Sequence, residues 1–444
     1  MNRRRRLLPA AVVTVLGVGL FLAGGLGLAP HEGGGQSASD SRAVDGGGAG
    51  VGLSADIRGL QQHLKAAPGD TLAMASLGLA YVQQAKITAD PSYYPKAEAV
   101  LTESLTAEPA ENFTAMAGMA ALHAARHDFT AALDWSQKAI AVNPDSSTLY
   151  GTLADAYTQL GRYPESFEAV QRMVDLKPGT PSLARASYAW ELRGDSAAAT
   201  ENMKRALDDA NTPADQAFTR YHLSQLALDS GDPRTALTHA EAGLRAAPGT
   251  ASLLEAKAKA EAALGDSASA VADLQRAVTL VPQPEYVLEL GELLQSLGHA
   301  AEAEQQYQVF RGEQKLFTDN GVALDTDAAL FEADHGDAKA ALTIAEQGLK
   351  TRPFLEMHDA YAWALHVNGR DQEALAQSDE ALSLGTRNAL FHYHRARILQ
   401  GLRRLADART ELETALAINP AFHPLHAPDA RATLAELEGA GGAG

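Results

Sequence analysis

One position recurs along this chain about every 34 residues. It is filled by Ser104, Ala139, Met173, Ala206, Gly243, Ala277, Phe310, Gly348, Ala381 and Ala415, and all but Met173 and Phe310 are small. Prolines Pro109, Pro144, Pro178, Pro248, Pro282, Pro353 and Pro420 stand five residues beyond seven of them. In seven of the nine gaps between successive members lies a glycine turn: Gly161, Gly194-Asp195, Gly231-Asp232-Pro233, Gly265-Asp266, Gly298, Gly336-Asp337 and Gly369-Arg370-Asp371. Glycine suits the left-handed residue that ends a first helix, and Asp caps the N–H groups of a second one. Proline then stops the second helix before the next pair begins. A period kept from residue 104 to residue 415 means stacked copies of one small unit, each unable to bury its apolar face alone.

The clearest unit reads Tyr150, Leu153-Ala154, Tyr157, the turn Gly161-Arg162-Tyr163-Pro164-Glu165, Val170 and Pro178. Leu77-Gly78 with Tyr81, and Leu290-Gly291 with Leu294, repeat its first half. Ala97 with Leu101, Ala303 with Tyr307, and Ala408 with Leu412 repeat its second. This pattern resembles the tetratricopeptide repeat. The resemblance covers residues 54–437 and is weakest at the fourth, seventh and eighth hairpins. It implies an all-α, right-handed superhelical solenoid of about ten helical hairpins with terminal capping helices. Residues 53–67 and 427–437 read as the caps, and residues 438–444 as a disordered tail. Residues 86–95 read as an insertion inside the first hairpin.

The N-terminus is of a different kind. Arg3 to Arg6 form a basic block, and residues 7–29 are uncharged and mostly Leu, Val, Ala and Gly. A helix of that length spans roughly 30–35 Å, about one hydrocarbon core. Residues 1–29 therefore read as a signal or an anchor with its arginines inside, and the rest as extracytoplasmic, membrane-anchored or secreted. Pro30 beside the small residues Gly27 and Ala29 disfavours cleavage there, which leans toward an anchor. Residues 30–53, rich in Gly and Ser, read as a flexible linker.

The formal charge is −18, and residues 1–53 hold five of the basic and three of the acidic side chains, so the remainder is more acidic still. Such a surface repels phosphate backbones, which argues against nucleic acid as a partner. Membrane contact is expected only through the N-terminal segment. There is no cysteine, hence no disulfide, thiolate metal site or cysteine nucleophile. No zinc-protease, serine-hydrolase, phosphate-loop or kinase signature occurs, and neither an enzyme nor a cofactor is expected.

Function then rests on surfaces. In tetratricopeptide arrays the first helices line the concave groove. The resemblance implies that Asp155, Tyr188, Glu191, Tyr221, Gln225, Glu255, Lys259, Glu289, Glu292, Asp327, Asp359, Trp363, His366, Tyr393 and Arg397 point into it. That set is acidic with interspersed aromatics, and it suits an extended protein or peptide partner carrying basic and apolar groups. The expected role is an extracytoplasmic scaffold, in a style similar to export-directed repeat proteins of high-GC bacteria. The alternative is a metal-handling role for the C-terminal histidines His299, His335, His358, His366, His392, His394, His423 and His426. Asp325, Asp327, Glu332, Asp334 and Asp337 read as a solvated turn.

Overall fold

A computed structural model of the chain describes residues 48–441. The expected signal or anchor, most of the linker and the last three residues lie outside the described residues. Helix α1 (Gly48–Ala66) comes first and α22 (His426–Gly441) last. Between them run ten antiparallel pairs. The first three are α2 (Thr71–Thr88) with α3 (Tyr93–Ala107), α4 (Phe113–Ala125) with α5 (Phe129–Val142), and α6 (Ser147–Gln159) with α7 (Tyr163–Leu176). Next come α8 (Thr180–Glu191) with α9 (Ser196–Asp208), α10 (Pro213–Asp229) with α11 (Pro233–Ala246), and α12 (Ala251–Leu264) with α13 (Ser267–Leu280). Then follow α14 (Pro284–Ser296) with α15 (Ala300–Asp319), and α16 (Thr326–His335) with α17 (Ala338–Thr351). The last are α18 (Leu355–Val367) with α19 (Asp371–Ala381), and α20 (Ala389–Gly401) with α21 (Leu405–Ile418). Among the described residues there is no strand, and no helix is long and apolar enough to cross a membrane.

All ten recurring positions fall on second helices and are buried. Small side chains there let the second helix of a pair approach its neighbours closely, including the first helix of the next pair. A Cβ on Gly243 would meet Leu253 at 2.6 Å, and one on Gly348 would meet Met357 at 2.5 Å. The Leu-Gly pairs of the first helices work in the same way: Leu101 occupies the space beside Gly78, and Tyr307 that beside Gly291. Asp195, Asp232, Asp266 and Asp337 each accept a backbone N–H from the first turn of the second helix, as caps should.

Some boundaries differ from expectation. Helix α1 begins at Gly48, inside the expected linker, and α22 runs on to Gly441. Helix α2 extends to Thr88, so the expected insertion shrinks to residues 89–92. Asp371 is not a cap. It lies within α19, and its carboxylate faces His366 Nδ1 at 2.5 Å.

The helix pairs coil far enough for the chain to touch itself one superhelical turn later. The turn within each of the first five pairs meets the loop that follows the pair five further on. Gln283 Nε2 donates to the carbonyl of Lys86 at 3.2 Å, 197 residues away. The backbone N–H of Ala323 donates to the Arg126 carbonyl at 3.1 Å. Arg352 Nη1 donates to Gln159 Oε1 at 3.4 Å, and the N–H of Leu355 donates to the Tyr163 hydroxyl at 2.8 Å, 192 residues apart. Gly194 lies against the carbonyl of Gly385, and Gly231 against that of Ile418. Tyr163 and Leu192 share one apolar cluster with Leu355, Ala381 and Phe391. The solenoid is therefore a coil whose consecutive turns are packed together.

At the centre of this seam Arg352 is only 1% exposed. Its Nη2 donates to Asp325 Oδ1 at 2.9 Å and to the Leu324 carbonyl at 3.2 Å. The guanidinium lies over the rings of Phe129 and Phe354. Burial alone would raise the Asp325 carboxyl, but the charges of Arg352 and His127 outweigh it and hold it well below the usual range.

Candidate binding cavity

Self-packing leaves little open groove. Tyr221 and Glu255 are wholly buried, and Asp359, Tyr393, Trp363, Asp155 and Glu292 are nearly so. Each is occupied within the chain. Asp155 takes a two-pronged ion pair from Arg185 at 2.8 and 3.0 Å. Asp359 accepts from His394 Nδ1 at 2.8 Å, and Trp363 Nε1 donates to Asp334 at 2.8 Å. The hydroxyl of Tyr393 donates to Asp429, which also holds Arg397. Tyr188 donates across the seam to Glu356 at 3.2 Å. The expectation that these aromatics face a partner is corrected: their polar tips serve the coil, and their rings fill it.

What remains is a cavity of about 460 Å³ at the C-terminal end of the coil's interior. First helices α12, α14, α16 and α20 form its walls, and the loop before α22 with the start of that helix roofs it. Lys259, Glu289, Glu292 and Asp327 from the expected groove line it. Glu191 instead lines a smaller cavity of about 110 Å³ by Asn388, while Gln225 and His366 line neither. The pattern also missed Glu285, Asp334, His394, Phe422, His423 and His426, which complete the larger wall. Glu285 and Glu289 sit four residues apart on one face of α14, a signal the sequence does carry. The roof residues carry none, since their approach depends on how the coil closes.

The carboxylates of this cavity fall into two groups. Glu292 and Asp334 are answered by histidines. Glu292 faces His335 Nε2 at 3.2 Å and His423 Nε2 at 3.1 Å. Burial would raise Glu292, but His423 and then His335 outweigh it and hold it far below its ordinary value, while Glu292 in turn raises His423. Asp334 accepts from Trp363 and faces His426 Nε2 at 3.1 Å, and these outweigh burial to hold it low. His423 and His426 stack on each other at 4.4 Å, so the roof is tied to α14 and α16 by two histidine–carboxylate contacts.

The second group is short of cations. Lys259 lies 3.0 Å from both Glu255 and Glu289. Glu285 and Asp327 have no hydrogen-bond or ion-pair partner among the described residues. Burial, then the charges of Glu289, Glu255 and Asp327, push Glu285 well above the carboxylate range. Burial, then Asp325 and other carboxylates, push Asp327 up to about 7 against the pull of Lys259.

Residues 118–181 and 221–285 match the family model of the tetratricopeptide repeat. These are tetratricopeptide repeats. No curated protein sequence matches the chain significantly. Solved structures that resemble this coil include a human IFIT1 dimer with m7Gppp-AAAA, at 16% identity and a TM-score of 0.47, covering 74% of this chain and 76% of that one. Yeast Tom70 is 12% identical with a TM-score of 0.33, covering 83% of this chain and 96% of its own. A tetratricopeptide repeat protein from Parabacteroides merdae is 17% identical with a TM-score of 0.34, covering 58% and 98%.

Apart from His335 and His423, which share Glu292, the C-terminal histidines are spread over separate partners. His358 meets Gln377, His366 meets Asp371, His392 meets Glu411 and His299 meets Glu302. Among the described residues no group of three or more His, Asp or Glu side chains is placed to hold a metal ion. The acidic stretch from Asp325 to Asp337 is not a solvated turn either. Asp325 pairs with Arg352, Asp334 with His426, and Glu332 accepts the Asp337 N–H.

Proposed function

We propose that this chain is a non-catalytic protein-binding scaffold displayed outside the cytoplasmic membrane, whose partner inserts a basic segment at the cavity beneath α22. Tetratricopeptide arrays serve as protein-binding scaffolds, and here ten helix pairs with their caps account for the described residues. The observation that carries the reading is the interior wall, where Glu285, Glu289 and Asp327 stand beside one lysine, Lys259, which also pairs with the buried Glu255 behind it. Uncompensated carboxylates in a water-poor interior favour a cationic occupant. The extracytoplasmic placement is supported by the basic block and hydrophobic run of residues 3–29.

Cross-linking in envelope fractions tests the partner site. The wild-type chain should capture a partner that Glu289→Lys loses, since Glu289 lines the cavity and keeps 22% of its side chain exposed. Equal recovery by both would move the interface elsewhere. Glu292 is unsuitable for this test because its burial between two histidines makes reversal a folding lesion. Protease added outside intact cells should digest the repeat region, and full protection would overturn the placement.

A further inference from the structure

The interior cavity has an unequal lining. One side is apolar, with Leu288, Leu293, Leu330, Leu390 and Phe422. The other carries Glu285, Glu289 and Asp327 beside Lys259. Its volume of about 460 Å³ lies within the range of sites for small ligands or a single large side chain. Exposed Ser296, Pro428 and Arg431 also line it, which places its mouth between the end of α14 and the start of α22.

Charge counting narrows the occupant. Glu292 and Asp334 are already served by histidines, and Glu289 Oε1 takes Lys259. The other oxygen, Glu289 Oε2, is buried and accepts nothing. The fully buried carboxylate of Glu255 lies outside the lining and draws on the same ammonium, 3.0 Å from Lys259 Nζ. Glu285 and Asp327 are half-buried and face the cavity with no hydrogen-bond or ion-pair partner among the described residues. Unsatisfied buried acceptors are costly, and a donor-rich cation on an apolar stem would satisfy them while its stem covers the leucines. A bare metal ion fits less well, since no group of three ligating side chains converges among the described residues.

We propose that this cavity is a receptor for one alkylammonium or guanidinium head on an aliphatic stem, held by Glu285 and Asp327. It rests on the reading that the partner enters the coil's interior, and it specifies what enters. The head comes from a free organic amine or from a lysine or arginine of a bound chain, and the chemistry at the carboxylates is the same. Occupancy has a signature that simple packing lacks. A cation favours the ionised carboxylates, so Asp327, pushed up to about 7, and Glu285, raised in the same direction, must give up protons as it binds.

Calorimetry of the 444-residue chain in a non-ionic detergent at pH 7.5 tests this, repeated in two buffers of different ionisation enthalpy. The probes are 1,5-diaminopentane, the blocked tetrapeptide acetyl-Gly-Lys-Leu-Gly-amide, and the same peptide with Gln for Lys. At least one ammonium probe should bind with proton release, and the tighter of the two names the source. The Gln peptide should not bind. Glu285→Gln combined with Asp327→Asn should weaken binding at least 10-fold and abolish the proton release. This double variant removes two unpaired charges and should melt no lower than wild type at pH 7.5. Failure of both ammonium probes, or equal binding by the double variant, overturns the proposal. The scaffold reading would then still stand or fall by the Glu289→Lys cross-linking result.

Discussion

The hydroxyl of Tyr163 accepts the backbone N–H of Leu355 at 2.8 Å, tying the turn inside the third helix pair to the loop after the eighth. Both residues are buried, so water cannot replace the lost acceptor. Tyr163→Phe should cost about 1–3 kcal/mol in a denaturant melt. Hydrogen exchange at the Leu355 amide should accelerate. An unchanged exchange rate would mean that the bond is not made in solution.

Two glycines with the same backbone twist separate the seam from the turn. Gly194 has φ +72 and Gly265 has φ +88, so alanine strains either by roughly 1–2 kcal/mol. A Cβ on Gly194 would lie 2.1 Å from the Gly385 carbonyl oxygen, whereas one on Gly265 meets nothing within 4 Å. Gly194→Ala should therefore destabilise more than Gly265→Ala by at least about 1 kcal/mol. It alone should enlarge the radius of gyration.

Arg352→Met leaves the half-buried Asp325 at the seam with His127, at 3.5 Å, as its remaining ion-pair partner. The expected loss is about 3–5 kcal/mol by chemical denaturation. A loss below about 1 kcal/mol would show that the pair is open to water.

Stability should fall as pH rises from about 5 to 8. Glu191 is pushed up to about 8, and Asp327 and Glu356 to about 7, each chiefly by burial. The folded state then holds protons that the unfolded chain has released, so raising the pH favours unfolding across that window. His423 acts with the same sign. Its raised value adds stability that is complete below about 6.5 and lost as pH rises past its folded value. Burial pushes His222 down to about 3 and also lowers His127, His366 and His426, so these histidines act oppositely below about 6.5, but the raised carboxyls span more of the window. Glu292 and Asp325 act oppositely only at strongly acid pH, where their ion pairs are lost. The melting temperature should be about 2 °C or more higher at pH 5.5 than at pH 8, and the reverse order would contradict these burials.

Ala277 is fully buried where α13 crosses its partner, and Ala277→Leu should cost roughly 1–3 kcal/mol. Exposed Arg234→Gln serves as the control and should stay within about 0.5 kcal/mol. Lys257 would be a poor control, because it pairs with both Glu261 and Asp273.

The helix pairs were legible because their signals are local. Ala277 and Gly348 report a close crossing with the neighbouring helices, and Asp232 reports the cap of its own helix. The seam was not legible, because it depends on a small rotation summed over five pairs. Gly194 serves both a turn and a distant carbonyl, and the sequence displays only the first role. Burial of Tyr221 and Trp363 was missed for the same reason: a first-helix aromatic faces an open groove or a filled interior according to the pitch of the coil. In the cavity, Glu289 and Asp327 were visible on first-helix faces, whereas His423 and His426 enter from a loop whose path no repeat dictates.

Whether the coil closes on itself decides whether a partner meets an open groove or a roofed cavity. Small-angle X-ray scattering of residues 48–441 measures this directly. The profile should match a compact coil with its turns in contact, and Arg352→Met should shift it toward a longer particle. A wild-type profile already fitting a stretched coil with separated turns would contradict the account.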